Sequence, residues 1–233
     1  MLRAIARETN LRIAVIWYLY SDEDHNADGR HISYLRDQAF AQLDPNLHSA
    51  LARIIHKGRR SVRSIAASQI LPPGTTFFSK LISDQEHRAR ISRTEKALSR
   101  AAWLKKAVAG ATGHELVFLD PDNGLETASV QRHSPKSGKY AFWNELAEFW
   151  GNGHSLIVYH HLNRTATVVQ QAEVLRAKFG ERFPDAPLIR HFLARRGSCR
   201  HFWIVGQKKH AQALSRSIEA ISQSALSECL ELG

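Results

Sequence analysis

Residues 115–126, ELVFLDPDNGLE, decide how this chain is read. ELVFLD is a near-continuous apolar run that stops at two acids. That is the pattern of a parallel strand buried on both faces, which delivers polar groups at its C-terminal edge. Pro121 fixes the backbone between Asp120 and Asp122, and Gly124 permits a turn that few other residues make easily. Carboxylates held there can orient an amino or hydroxyl group, hold a divalent metal or take a proton, and Glu126 is close enough in sequence to join them. The plainer alternative is a DPDNG turn whose carboxylates cap the next segment. Charge at the end of a buried strand argues for a site, because the turn alone does not require it.

Working outward, KYAFWNELAEFW (139–150) is patterned as an amphipathic helix, followed by a Gly-Asn-Gly turn and the strand HSLIVYHH (154–161). Residues 113–161 therefore form a strand, helix, strand unit of ordinary crossover length. A helix over Thr165–Phe179 follows, then two extended segments around a basic Gly-Ser turn (187–209) and a last helix over 211–222. Upstream, Asp84–Ala109 reads as one long helix without Pro or Gly, ended by Gly110 and Gly113. RIAVIWYLY (12–20) has the β-branched and aromatic content of a buried strand, and LRAIARE (2–8) forms a helix before it. Between them, helical patterning is weak over Ser33–Phe40 and Pro45–Lys57, while Ser64–Leu71 and TTFFSKLI (75–82) each supply a short element. The expected architecture is α/β: one three-layer domain over residues 1–233, with a mostly parallel, Rossmann-like sheet and a late antiparallel strand pair.

Composition narrows the function classes. Lys and Arg number 32 against 22 Asp and Glu, a formal charge of +10, and 43 % of residues are hydrophobic, which suits a soluble basic domain. Cys199 and Cys229 are too few and too far apart for a disulfide framework or a thiolate metal cluster, so a reducing, cytoplasmic setting is expected. The N-terminal apolar stretch is too short for a secretion signal or a membrane span, and no membrane partner is expected. The chain has no GxxxxGK[ST] loop, GxSxG elbow, HExxH or CxxC motif, which counts against ATP hydrolysis, serine esterase chemistry and thiol redox function.

The positive charge falls in three patches and points first to a phosphate-rich partner, with nucleic acid, a nucleotide cofactor and simple solubility all open on charge alone. Arg53, Lys57, Arg59, Arg60 and Arg63 occupy an acid-free stretch. Arg88, Arg90, Arg93, Lys96, Arg100, Lys105 and Lys106 run along the long helix, where Arg93, Lys96 and Arg100 are spaced to track a backbone. Arg190, Arg195, Arg196, Arg200, Lys208 and Lys209 surround the late turn. YHHLNR (159–164) ends the strand beside Asp120, bringing His160, His161, Asn163 and Arg164 to the same edge. Strand alternation places the two histidines on opposite faces, and Arg164 is suited to a phosphate or carboxylate. After the first strand, Asp22, Glu23, Asp24, His25, Asp28 and His31 form a polar loop without the spacing of a calcium-binding loop.

DPDNG at a strand end, the next strand LIVYHH and the late pair IRHFLAR and HFWIVG together resemble class I S-adenosylmethionine-dependent methyltransferases. The resemblance is to the kind that methylates amino groups and carries Asp or Asn, Pro, Pro and an aromatic residue at the end of its fourth strand. It covers roughly Leu11 to Ser217 and implies a seven-stranded sheet with an antiparallel last strand. It also implies that the chain starts within the family's N-terminal helix. Asp120 and Pro121 match the first two motif positions, while Asp122 and Asn123 stand where the second proline and the aromatic would be. By resemblance, Asp120, Pro121, Asp122 and Asn123 form the catalytic turn, and Asp120 accepts a hydrogen bond from the target amine. Trp17, Tyr18 and Asp22, at the end of the first strand, hold S-adenosylmethionine, although SDEDHNADG replaces the family's glycine-rich turn. His160, Arg164, Arg93, Lys96 and Arg100 hold substrate or phosphate. Two alternatives stand beside this reading. One is a nuclease with magnesium or manganese on Asp120, Asp122 and Glu126, helped by Lys136 or Lys139. The other is a non-catalytic nucleic-acid-binding protein of this fold.

Overall fold

The computed structural model describes residues 1–20, 32–58, 61–82, 91–195 and 199–233. Asp22, Glu23, Asp24, His25, Asp28 and His31 lie outside them, as do Arg59, Arg60, Arg88, Arg90 and Arg196.

Strands β1 (Ile13–Trp17), β2 (Thr76–Phe78), β3 (Leu116–Asp120), β6 (Ser155–His161), β7 (Leu188–Ala194), β8 (Arg200–Gly206) and β9 (Glu231–Leu232) form one seven-stranded sheet in the order β2-β1-β3-β6-β8-β7-β9. The first four are parallel neighbours, and β8 then runs antiparallel between β6 and β7. β4 (Gly124–Leu125) and β5 (Tyr140–Ala141) form a separate parallel pair beside the main sheet. The fold is Rossmann-like and three-layered. The short edge strand β9, antiparallel to β7, carries no signal in the sequence pattern.

The central strands are apolar in both parities because helices cover both faces. On one face, α5 (Arg93–Ala111), α6 (Trp143–Gly151) and α7 (Val168–Arg182) bury Trp103, Ala107, Leu146, Phe149 and Phe179 against Val117, Leu119, Val158 and Trp203. On the other, α1 (Leu2–Thr9) and α8 (Lys208–Ser222) bury Ile5, Leu214 and Ile218 against Val15, Phe118, Ile157 and Ile204. Between β1 and β2 lie α2 (Gln38–Leu43), α3 (Pro45–His56) and α4 (Val62–Ala67). Among the described residues no helix is long and apolar enough to cross a membrane.

Element boundaries differ from the periodicity where capping chemistry intervenes. The long basic helix described starts at Arg93, and residues 84–90 of the expected span lie outside the described residues. Ser92 accepts from the Glu95 N–H, and the Glu95 carboxylate accepts from the Ser92 N–H, a reciprocal cap that defines a start. Thr167 and Gln170 cap α7 in the same way, so it spans Val168–Arg182 rather than Thr165–Phe179. The segment read as a helix from Lys139 first spends Tyr140 and Ala141 on strand β5, because their partners Gly124 and Leu125 emerge directly from the DPDNG turn. The weak helical patterning over Ser33–Phe40 resolves into a 3₁₀ turn, Ser33–Arg36, and α2, which Asp37 caps.

Candidate functional site

From β1 the chain crosses to β2 on one side and returns to β3 on the other. The C-terminal ends of β1 and β3 therefore diverge at a topological switch point, where open α/β sheets build their ligand sites. Trp17 and Asp120, each the last residue of its strand, are register partners and share a face. The Asp120 carbonyl also accepts from the Tyr18 N–H at 3.3 Å, carrying the pairing one step past the strands.

Asp120 is partly exposed, and among the described residues no hydrogen bond or ion pair holds its carboxylate. Burial, reinforced by the nearby charge of Asp122, pushes its pKa up from 3.8 to about 7, with Arg200 pulling the other way. A carboxylate that titrates near neutrality at a sheet edge is a candidate functional group.

The turn after it is fixed from several directions. Gly124 has φ +99°, and a Cβ there would lie 2.6 Å from both Cα and Nδ1 of His160, so only glycine fits. The close approach lets the Leu125 N–H donate to His160 Nδ1 at 3.1 Å. Asn123 donates its N–H to the Lys139 carbonyl at 2.8 Å, and Glu126 donates its own to Ala141 at 2.9 Å. The Asp122 carboxylate pairs with Lys139 at 3.1 Å. The Glu126 carboxylate accepts from the Trp143 N–H at 2.8 Å, at the start of α6.

Beneath the turn is a buried ionic network. Arg100 makes a two-pronged pair with Glu145 and donates to the carbonyls of Ser137 at 2.8 Å and Tyr140 at 2.7 Å. Glu145 also accepts from the Phe142 N–H at 3.0 Å and the Tyr18 hydroxyl at 3.3 Å. With its donors and acceptors matched, this pair fixes the path of residues 137–142, and β5 in turn supports β4.

These contacts sort the residues singled out from sequence. Trp17 lies at the edge with Asp120, and among the described residues its buried indole N–H has no hydrogen-bond partner. Pro121 is buried, Asp122 is exposed and Asn123 is half-buried. Arg93, at the start of α5, and Arg164, after β6, are exposed, and Lys96 is half-buried.

Three assignments are corrected. Tyr18, expected to hold cofactor, is only 3 % exposed and points to the opposite face from Trp17, with its ring centroid 4.8 Å from that of Trp103. Arg100, expected to hold phosphate, is 8 % exposed with its donors committed to Glu145 and two carbonyls; its helix position places it above Trp103 on the buried stripe. His160, expected at the substrate, is a buried neutral ring. Burial above all, with His161 and Lys178, lowers its pKa to about 4, so it anchors the turn rather than binding an anion.

Nor does the structure gather Asp120, Asp122 and Glu126 about one point. Among the described residues no three His, Cys, Asp or Glu side chains are placed to hold a metal ion. Sequence reasoning missed Glu145, whose only local signal is an acid at the third position of a helix otherwise rich in apolar residues.

No family model, curated protein or solved structure matches this chain.

Proposed function

We propose that this protein is an S-adenosylmethionine-dependent methyltransferase acting on an amino group of a nucleic-acid base. The observation that carries the reading is Asp120-Pro121 at the C-terminal end of β3, on the switch point, with a partly buried carboxylate that no group among the described residues pairs with. An exocyclic amine is a weak nucleophile because its lone pair is delocalised into the ring. A carboxylate that accepts one of its N–H bonds turns the nitrogen and raises electron density on it, a gain from orientation and electrostatics that needs no protein nucleophile. Ionised Asp120 performs that task, and its restricted exposure strengthens the bond by limiting competition from water.

The residues present fit a cofactor on the β1 side. Trp17, at the same edge, carries a buried indole N–H without a partner among the described residues, so Trp17 would hold S-adenosylmethionine. Bound there, the cofactor supplies an electrophilic methyl group. A base within a duplex must first be flipped out of its stack, with basic side chains holding the flanking phosphates. The commitments of Asp122 to Lys139 and of Glu126 to Trp143 favour this reading over a metal-dependent nuclease.

Calorimetric titration with S-adenosylmethionine and its demethylated product tests the proposal, together with transfer of a labelled methyl group to RNA and DNA. Saturable binding is expected in the wild type and in Asp120→Ala, with transfer lost only in the variant. The absence of heat at high protein concentration sinks it.

A further inference from the structure

A cleft lies between α3 and α4, apart from the β1/β3 edge. From residue 45 to residue 83 the chain contains no Asp or Glu, while Arg53, Lys57, Arg59, Arg60, Arg63 and Lys80 fall within it. Such a run is poor in internal ion pairs and keeps its field for an outside anion. The structure turns this composition into a shape. Arg53 on α3 and Lys57 just past its end, with Ser64 on α4 and Ser68 just past its end, line a cleft of about 390 Å³ that Ala50 and Ile54 also line. That volume is within the range of small-ligand pockets, roughly 300–1,000 Å³.

Among the described residues neither Arg53 nor Lys57 pairs with a carboxylate. The Ser61 and Ser64 hydroxyls lie 3.0 Å apart, and with Ser61 as the donor of that pair the Ser64 proton is free for a ligand in the cleft. Cations and a hydroxyl on the rim above an apolar floor match a sugar-phosphate unit, the phosphate on the rim and the sugar or base on the floor. Arg63, exposed one turn before Ala67 on the same helix, adds a third cation, which a strand with successive phosphates uses and a lone phosphate does not.

We infer that the α3–α4 cleft binds the phosphate backbone of a single-stranded nucleic acid. The inference shares a nucleic-acid partner with the proposed function but does not depend on methyl transfer.

The test is fluorescence anisotropy of end-labelled single-stranded RNA and DNA 20-mers over a salt series, without cofactor. It compares the wild-type protein with Arg53→Glu/Lys57→Glu and with the milder Arg53→Gln/Lys57→Gln, each checked for native circular dichroism. We expect wild-type binding that weakens steeply with salt, and affinity at least tenfold lower in the glutamate variant. The glutamine variant should lower the slope of log affinity against log salt by about 1.4, two contacts at about 0.7 each. Three results would overturn the inference: no binding by the wild type; unchanged affinity and slope in folded variants, including a loss that appears only in Arg93→Glu/Lys96→Glu; or competition by a free nucleoside monophosphate as effective as by the 20-mer. Failure of the methyltransferase reading would instead appear as absent S-adenosylmethionine heat with this binding intact.

Discussion

Replacing Asp120 with Asn should make the protein more stable above neutral pH. The pKa of Asp120 rises from 3.8 to about 7 on folding, through burial and the charge of Asp122 and against the pull of Arg200. With the folded pKa raised, the native state holds the proton more tightly than the unfolded chain. The stability tied to this group is fully present below pH 3.8 and is lost as pH rises through about 7. A shift of roughly three units at 1.36 kcal/mol each sets a ceiling of about 4 kcal/mol at pH 8. The side chain is partly exposed, and solvent screening brings this to about 2 kcal/mol. Asn has nearly the same shape and does not ionise, so the variant should exceed the wild type by about 2 kcal/mol at pH 8, or about 4–8 °C in Tm, and by well under 1 kcal/mol near pH 4. Urea unfolding of both proteins between pH 4 and pH 8 measures the difference, and acid effects from other groups cancel in it. A difference that stays flat with pH, or a variant less stable than wild type at pH 8, refutes the reasoning. Because the ionised carboxylate is the working form, wild-type methyl transfer should rise with pH through about 7, and the variant should show no such limb.

Three further outcomes follow from the architecture around the turn. Gly124→Ala combines a positive φ with a Cβ 2.6 Å from His160 and should cost about 2–4 kcal/mol in urea unfolding; a loss below 0.5 kcal/mol contradicts the close approach. Arg100→Met leaves Glu145 buried without its cation and should cost about 3–5 kcal/mol, and adding Glu145→Gln should recover part of it; equal stability of the single and double variants argues against the pair. His160 keeps a folded pKa near 4, so the stability of its neutral form, about 3 kcal/mol at most, is present above pH 6.5 and lost as pH falls towards 4. His160→Asn, whose amide oxygen can accept the Leu125 N–H without titrating, should flatten the acid side of a Tm-versus-pH curve, and an unchanged slope assigns the acid sensitivity elsewhere.

His191 and His201 bear on that last measurement. Their rings lie 4.5 Å apart, centroid to centroid, beside Trp203, and burial lowers their pKa values to about 4 and about 3. His201 is fully buried, and among the described residues neither ring nitrogen has a hydrogen-bond partner. The face of β7 and β8 that covers α7 thus holds neutral imidazoles in the manner of apolar side chains, and acid should loosen this end of the sheet along with the His160 anchor.

What the sequence alone determines here is local. ELVFLD is a strand because an apolar run of that length, stopped by Asp-Pro, has few other stable settings, and the same holds for β1 and β6. Gly124 was legible as a turn former. The starts of α5 and α7 were written in Ser92–Glu95 and Thr167–Gln170, signals that periodicity alone passes over. The candidate site was legible as far as Asp120, since a carboxylate at a strand end declares its position whatever the neighbouring strands are. Strand order was not, because which strands pair depends on crossovers that leave no mark on the strands themselves. The roles of charged side chains were decided only in three dimensions. Arg93 and Arg100 stand on one helix with the same chemistry, yet one is exposed and the other is buried on Glu145. His160 looks like a ligand in YHHLNR and becomes a hydrogen-bond acceptor because Gly124 allows Leu125 to approach it. The physical reason is common to all three: the free energy of a charge or an imidazole is set by what replaces its water, and that replacement comes from residues distant in the chain.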